Sequence, residues 1–297
     1  MPKNIKMIYK LKKGAQVHVI APSSNIENEK EFFEGLEIIN SWGLNVNHDS
    51  IVGRKFGYFS GDDKTRFSEL EKAQKSDLII CAKGGWGASR LLEKNPKWEE
   101  KWIMGFSDNC SLLLSKYSKG SLGSIHGPMI STLSNEPTWS LDRLRAFLFE
   151  GYLEDLNGTV LKKGVSRGKI IISNLTILCF LIGTNNLPSL DGKILILEDV
   201  NEDIYKLDRM FTYLRMSNIL ENITGIGFGN FFNRQDFEKQ TLLEKLIFDR
   251  FHEFNIPIVI NLPIGHLPGN ACVPYGFRGK LNANNNIGVL SINTNFS

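Results

Sequence analysis

Short apolar runs that stop at glycine or small polar residues and give way to helical spacing recur through the first half of this chain. That alternation narrows its fold more than any other feature. VHVIA (17–21) ends in Pro22-Ser23-Ser24, DLIICA (77–82) in Lys83-Gly84-Gly85-Trp86-Gly87, and WIMGF (102–106) in Ser107-Asp108-Asn109. Helical spacing follows over 27–42, from 88 onward and over 108–117, with a charged amphipathic helix at 62–75 and a weaker strand at 46–52. Buried strands alternating with helices predict a parallel sheet with right-handed crossovers. Open sheets of this kind bind ligands beyond the C-terminal ends of their strands, so those polar clusters are where chemistry is expected.

The pattern loosens in GYLEDLNGTVLKKGVSRG (151–168), which carries four glycines and mixed charge. The reading is therefore an N-terminal α/β domain over 1–150, a linker over 151–167 and a smaller β-rich domain over 168–297. In the last of these, strands are expected at 169–172, 175–182 (LTILCFLI), 193–197 (KILIL), 223–228 and 256–261, helices at 205–216 and 237–254, and short β segments from 271 to 292.

Composition excludes several classes. An apolar share of 42% over 297 residues supports a packed core. Thirty-five Lys and Arg against 32 Asp and Glu leave a charge of +3, too even for a nucleic-acid binder. The longest apolar run, 175–182, falls well short of the ~20 residues that cross a bilayer. The basic N-terminus lacks the apolar segment of a signal peptide. Cys81, Cys110, Cys179 and Cys272 fit neither a zinc site nor a disulfide framework. The expectation is a cytoplasmic protein with reduced thiols, no membrane or nucleic-acid partner, no metal and no cofactor.

Three clusters carry candidate chemistry. The Lys83–Gly87 glycines let backbone amides face an anion or a developing oxyanion; without GxGxxG or a GxxxxGK[ST] loop, a nucleotide role has little support. Gly105-Phe106-Ser107 at a strand-to-helix corner is the first half of a nucleophile elbow, although Asn109 stands where a second glycine is usual. Ser and Asp also serve there as ordinary helix caps. In the second half, Glu198 closes the KILIL strand and His266 lies in the Gly/Pro-bounded PIGHLPGN (263–270). His126 in SIHGP (124–128) competes for the role of base, and Cys110, one turn after Ser107, is a thiol alternative. Ser107, Glu198 and His266 follow the order nucleophile, acid, base. A serine hydroxyl needs an imidazole to remove its proton, and the imidazole needs a carboxylate to fix its tautomer.

Taken together, VHVIAPSS (17–24), AKGGWGASRLL (82–92), GFSD (105–108), IHGPM (125–129), ILILEDVNEDIYKLDRM (194–210) and GHLPGN with VPYG (265–276) resemble the LD-carboxypeptidase family, serine peptidases that include microcin C immunity proteins. The resemblance implies a flavodoxin-like N-terminal domain, a β-rich C-terminal domain and a cleft between them. It implies Ser107 as nucleophile, Glu198 as acid, His266 as base, and the amides of Asp108 and Gly85 as oxyanion donors. The implied substrate is a small murein-derived peptide ending in a D-amino acid, whose carboxylate calls for a cation such as Lys83, Arg90 or Arg209. By the same analogy the protein is a homodimer. Immunity-type members act instead on peptidyl- or aminoacyl-nucleotides, for which Trp86 or Trp139 would offer an aromatic platform; a third alternative is a non-catalytic binding homologue. The family usually has Arg at the position of Lys83, Tyr at Trp86, and Gly-Gly-Asn-Leu where this chain reads Ile172-Ser173-Asn174-Leu175.

Overall fold

A computed structural model describes residues 10–233 and 235–294. The first half supplies β1 (Gln16–Ile20), β2 (Asn45–His48), β3 (Leu78–Cys81), β4 (Trp102–Gly105) and β5 (Ser124–His126), interleaved with α1 (Glu29–Ser41), α2 (Asp63–Ala73), α3 (Ala88–Leu91) and α4 (Cys110–Ser118). These five strands run parallel in the order 2-1-3-4-5, the flavodoxin-like arrangement. All four residues of β3 and of β4 are buried, as expected of central parallel strands covered on both faces. Two further helices, α5 (Ile130–Leu133) and α6 (Thr138–Glu150), lead to the second half.

There, β6 (Leu156–Lys162), β7 (Val165–Asn174), β8 (Lys193–Glu198), β9 (Gly225–Phe228), β10 (Ile258–Ile260), β12 (Arg278–Asn282) and β13 (Ile287–Asn293) close into a seven-stranded barrel. Three neighbouring pairs are parallel (β7–β8, β8–β9, β9–β10), and the other four are antiparallel. The helices α7 (Leu175–Leu181), α8 (Ile204–Met216) and α9 (Phe237–Phe251) complete this half. Between β10 and β12 the chain returns to the first half, where β11 (Val273–Pro274) pairs antiparallel with β5 as the outermost strand of that sheet. The two halves are stitched together at that edge.

Two local expectations change. The stretch 151–167 is not a loose connection: β6 and the start of β7 lie within it, held by partners in β10, β12 and β13 about a hundred residues away in the chain. The apolar run 175–182 is helix α7 rather than strand, because Asn174 caps it, its side chain accepting a hydrogen bond from the Ile177 amide. Among the described residues, no helix is long and apolar enough to cross a membrane.

Candidate active site

Strand β4 ends at Gly105, Phe106 continues extended, and Ser107 turns into the left-handed region at φ +60° before a short helical turn leads into α4. The other four described non-glycine residues with positive φ are asparagines, which tolerate it. A serine held there is strained, and strain of this kind is kept where a side chain must be presented. Asn109, in the place of the usual second glycine, ties the corner down. Its amide nitrogen donates to the Lys83 and Phe106 carbonyls, each at 3.2 Å, and its oxygen accepts from Ser23 Oγ.

The glycine loop is drawn onto the corner by buried polar groups. Asp108 Oδ2 accepts from Ser23 Oγ at 2.6 Å and from the Ala88 amide at 2.8 Å. Burial drives the Asp108 carboxyl above the usual carboxylate range, against those two hydrogen bonds and the Arg66 charge, which pull it down. The fully buried Arg66 guanidinium donates to the carbonyls of Pro22, Gly61 and Gly87 and pairs with Asp63 at 2.5 Å, joining three loops. Gly85 takes φ +106° with its face against Ser24, so a side chain there would collide with Ser24 Oγ. A Cβ on Gly84 would lie 2.9 Å from Ser107 Oγ, which shows how closely the loop backbone approaches the hydroxyl. Asp108 sits in the first turn of its helix, where amides lack intrahelical acceptors. The exposed Gly85 amide likewise has no acceptor among the described residues.

The other wall comes from the barrel. Glu198, fully buried at the end of β8, accepts at Oε2 from His266 Nδ1 at 2.7 Å. Nε2 of the same ring is buried and has no partner among the described residues. The ring stands edge-on to Phe106, with centroids 4.9 Å apart, which sets it beside the residue preceding Ser107. Burial lowers the His266 pKa, but the Glu198 charge and hydrogen bond, with Asp199 behind them, outweigh it, and the imidazole stands above its ordinary value. Asp199 is itself held by Asn174 Nδ2, by the Thr176 amide and hydroxyl, and by the Val200 amide. Asn174, shared with the family pattern, thus braces the strand end that carries Glu198. In the departure before it, Ile172 is a core residue of β7 and Ser173 Oγ turns back onto the Asn174 carbonyl.

His126 is placed differently. It is fully buried, paired through Nε2 with Asn270 Oδ1 at 3.0 Å, and burial lowers its pKa to about 4. An imidazole kept neutral and bonded to an amide supports a loop and is poorly placed to shuttle protons. Cys110 is also fully buried, with Sγ accepting from the Asn174 amide, and burial raises its thiol far above the reactive range. Of the cations, Lys83 pairs with Glu27 at 2.9 Å, Arg90 forks onto Asp63, and exposed Arg209 lies over the Tyr205 ring. Trp86 meets Phe180 of α7 edge-on at 5.6 Å, so aromatic rings from the two halves touch. Trp139 lies against Gly269. Residues with no chemical signature of their own in the sequence also shape the site. Asn270 is visible in the sequence only as part of GHLPGN, and Glu136 gives no signal there.

A left-handed serine at a strand–helix corner and a carboxylate-bound imidazole are the working parts of serine hydrolases. Family models described as the LD-carboxypeptidase N-terminal and C-terminal domains match residues 17–127 and 167–281. The chain belongs to the LD-carboxypeptidase family of peptidases. It is 36% identical over 95% of its length to a putative carboxypeptidase from Synechocystis, covering 96% of that protein. It is 29% identical to a probable murein peptide carboxypeptidase from Bacillus subtilis, over 92% of this chain and 90% of the other. The solved structure of MccF in complex with glutamyl sulfamoyl guanosine shares the fold, with TM-score 0.83 and 19% identity, over 95% of this chain and 97% of the other.

Proposed function

We propose that this protein is a serine carboxypeptidase that hydrolyses the amide between an L-centre and a C-terminal D-amino acid, such as the D-Ala of a murein tetrapeptide. Ser107 Oγ attacks the scissile carbonyl while His266 Nε2 takes its proton. Glu198 fixes the tautomer through Nδ1 and stabilises the charged imidazole. The amides of Asp108 and Gly85 receive the oxyanion, each such donor being worth roughly 3–4 kcal/mol in the barrier. His266 then protonates the departing D-amino acid, and a water activated by the same nitrogen clears the acyl-enzyme. By family analogy the protein works as a cytoplasmic homodimer, without a cofactor. The observation that carries the reading is the 2.7 Å Glu198–His266 bond, with the opposite ring nitrogen unpartnered beside the strained Ser107 corner. The murein-directed relative supports the substrate class.

A second reading, hydrolysis of an aminoacyl- or peptidyl-nucleotide, draws on the Trp86–Phe180 contact, an aromatic surface able to stack a base, and on the fold shared with MccF. One experiment separates the two. The protein is incubated with murein tetrapeptide and, separately, with an aminoacyl-sulfamoyl adenosine, and released D-Ala or free amino acid is measured. D-Ala release that disappears in Ser107→Ala, together with labelling of Ser107 by a serine-directed probe, supports the first reading. Turnover of the adenosine compound alone replaces it with the second, and binding without turnover of either leaves a non-catalytic homologue.

A further inference from the structure

We infer that Glu136, in the connection between α5 and α6, is a positioning residue that fastens the loop bearing His266 to the half of the molecule bearing Ser107. Residues 265–270 lie between β10 of the barrel and β11 of the other half's sheet, and their contacts reach that other half before β11 begins. Glu136 Oε2 accepts from two successive loop amides, Gly269 at 2.8 Å and Asn270 at 3.0 Å. Ser140 on α6 donates to the Asn270 carbonyl. The Asn270 side chain closes the loop on itself, Oδ1 accepting from the Gly265 amide at 3.0 Å, and the same oxygen faces His126 Nε2 on β5. The path from Glu136 to the residue next to His266 is therefore two hydrogen bonds long, half-buried at Glu136 and buried at Asn270 and Gly265.

The arrangement divides the work. Glu198, from the barrel, decides which way the imidazole is oriented. Glu136, from the α/β half, holds the Gly269–Asn270 backbone and so helps set how far the loop stands from the serine corner. Without the clasp the ring would still be tied to Glu198 and the loop to Ser140, His126 and β11. The Gly269–Asn270 backbone, however, would lose its two shortest ties and be freer to shift relative to the serine corner. Hydrogen bonds from amides to a carboxylate are short and roughly twice as strong as neutral ones. Misplacing a reacting group by about 1 Å costs on the order of 10²-fold in rate.

This inference rests on the reading of His266 as the base, and its test keeps the two apart. Full-length wild type, Glu136→Ala, Glu136→Gln and Glu136→Asp are compared for D-Ala release and for amide hydrogen exchange over residues 265–271. Glu136→Ala is expected to lose about 10²-fold in kcat with little change in KM, and its loop amides to exchange faster. Glu136→Gln keeps an oxygen able to accept both amides and should recover to within about fivefold of wild type. Glu136→Asp, too short to reach both amides, should fall about tenfold and remains informative if the alanine variant does not fold. Wild-type kcat with unchanged loop protection in Glu136→Ala or Glu136→Asp overturns the inference. So does a well-folded Glu136→Gln as impaired as the alanine variant. If His266→Ala keeps its activity, the base assignment falls, while the exchange data still judge the clasp.

Discussion

Two histidines flank the Phe106 ring, and their surroundings push them in opposite directions. His266 lies 4.9 Å from it and His126 5.8 Å, and both are desolvated. The difference is the partner. His266 meets the carboxylate of Glu198 at Nδ1, and the negative charge more than offsets burial. His126 meets the neutral amide of Asn270, and burial wins, lowering it to about 4. One arrangement leaves an imidazole able to gain a proton during a reaction. The other leaves an imidazole that stays neutral and joins two segments of chain. Residue type alone does not separate them; the charge of the group opposite does.

The largest expected effect comes from making the first site resemble the second. Glu198→Gln keeps the shape but replaces the charge with an amide. By analogy with catalytic triads, kcat should fall by about 10³–10⁴-fold. On the proposed mechanism His266 must be neutral to act as base, so wild-type activity should decline as pH falls through the raised His266 value, above 6.5. In Glu198→Gln the residual activity should decline at lower pH, because burial is then opposed only by the Asp199 charge. Profiles of kcat/KM against pH for both proteins check this; an unmoved acid limb would show that Glu198 does not set the His266 titration.

The second effect concerns stability. The folded state holds His126 neutral down to about pH 4, whereas the unfolded chain takes up the proton near 6.5. The contribution is therefore complete above pH 6.5 and is lost as pH falls toward 4. A displacement of that size is worth about 3 kcal/mol at roughly 1.4 kcal/mol per pH unit. His126→Gln removes it. Urea unfolding at pH 7.5 and 4.5 should show a steeper loss of stability in wild type than in the variant. Equal losses would mean that His126 is not the group responsible.

Much of this contrast was legible in the sequence, and the rest was not, for identifiable reasons. Ser107 announced itself through local geometry: an apolar strand, a glycine and a helix start occupy consecutive positions, so the corner is written in one short stretch. Glu198 was visible as the polar end of KILIL, and His266 as a histidine in a glycine- and proline-bounded loop. The opposite states of His126 and His266 were hidden, because their partners lie 144 and 68 residues away. Strand β6 was hidden for the same reason: its LNGTVLK sequence, inside a stretch loosened by glycines on either side, is held by β10 and β13, not by its own propensity. Helix α7 was misread because a short apolar run has no decisive period, and the deciding signal was the single cap at Asn174. Glu136 is an acidic residue before a proline, and only the folded loop shows what it holds.

The smallest expected effect tests whether the ring between the histidines does more than separate them. Phe106 is nearly fully buried and meets His266 edge-on. Such a contact is worth about 0.5–1.5 kcal/mol beyond its area. Phe106→Leu should therefore lower stability by about 1–2 kcal/mol, a fall of a few degrees in Tm for a chain of this size. The imidazole would keep its bond to Glu198 but lose one packing wall, so kcat should drop by no more than about fivefold while KM holds. His126 should keep its pH window, because its depression comes first from burial and the leucine still excludes water. A loss of kcat beyond about 10²-fold would mean that the ring itself sets the distance between His266 and the serine corner. The clasp at Glu136 would then share that role with Phe106, and combining the two substitutions should give less than the product of their separate effects.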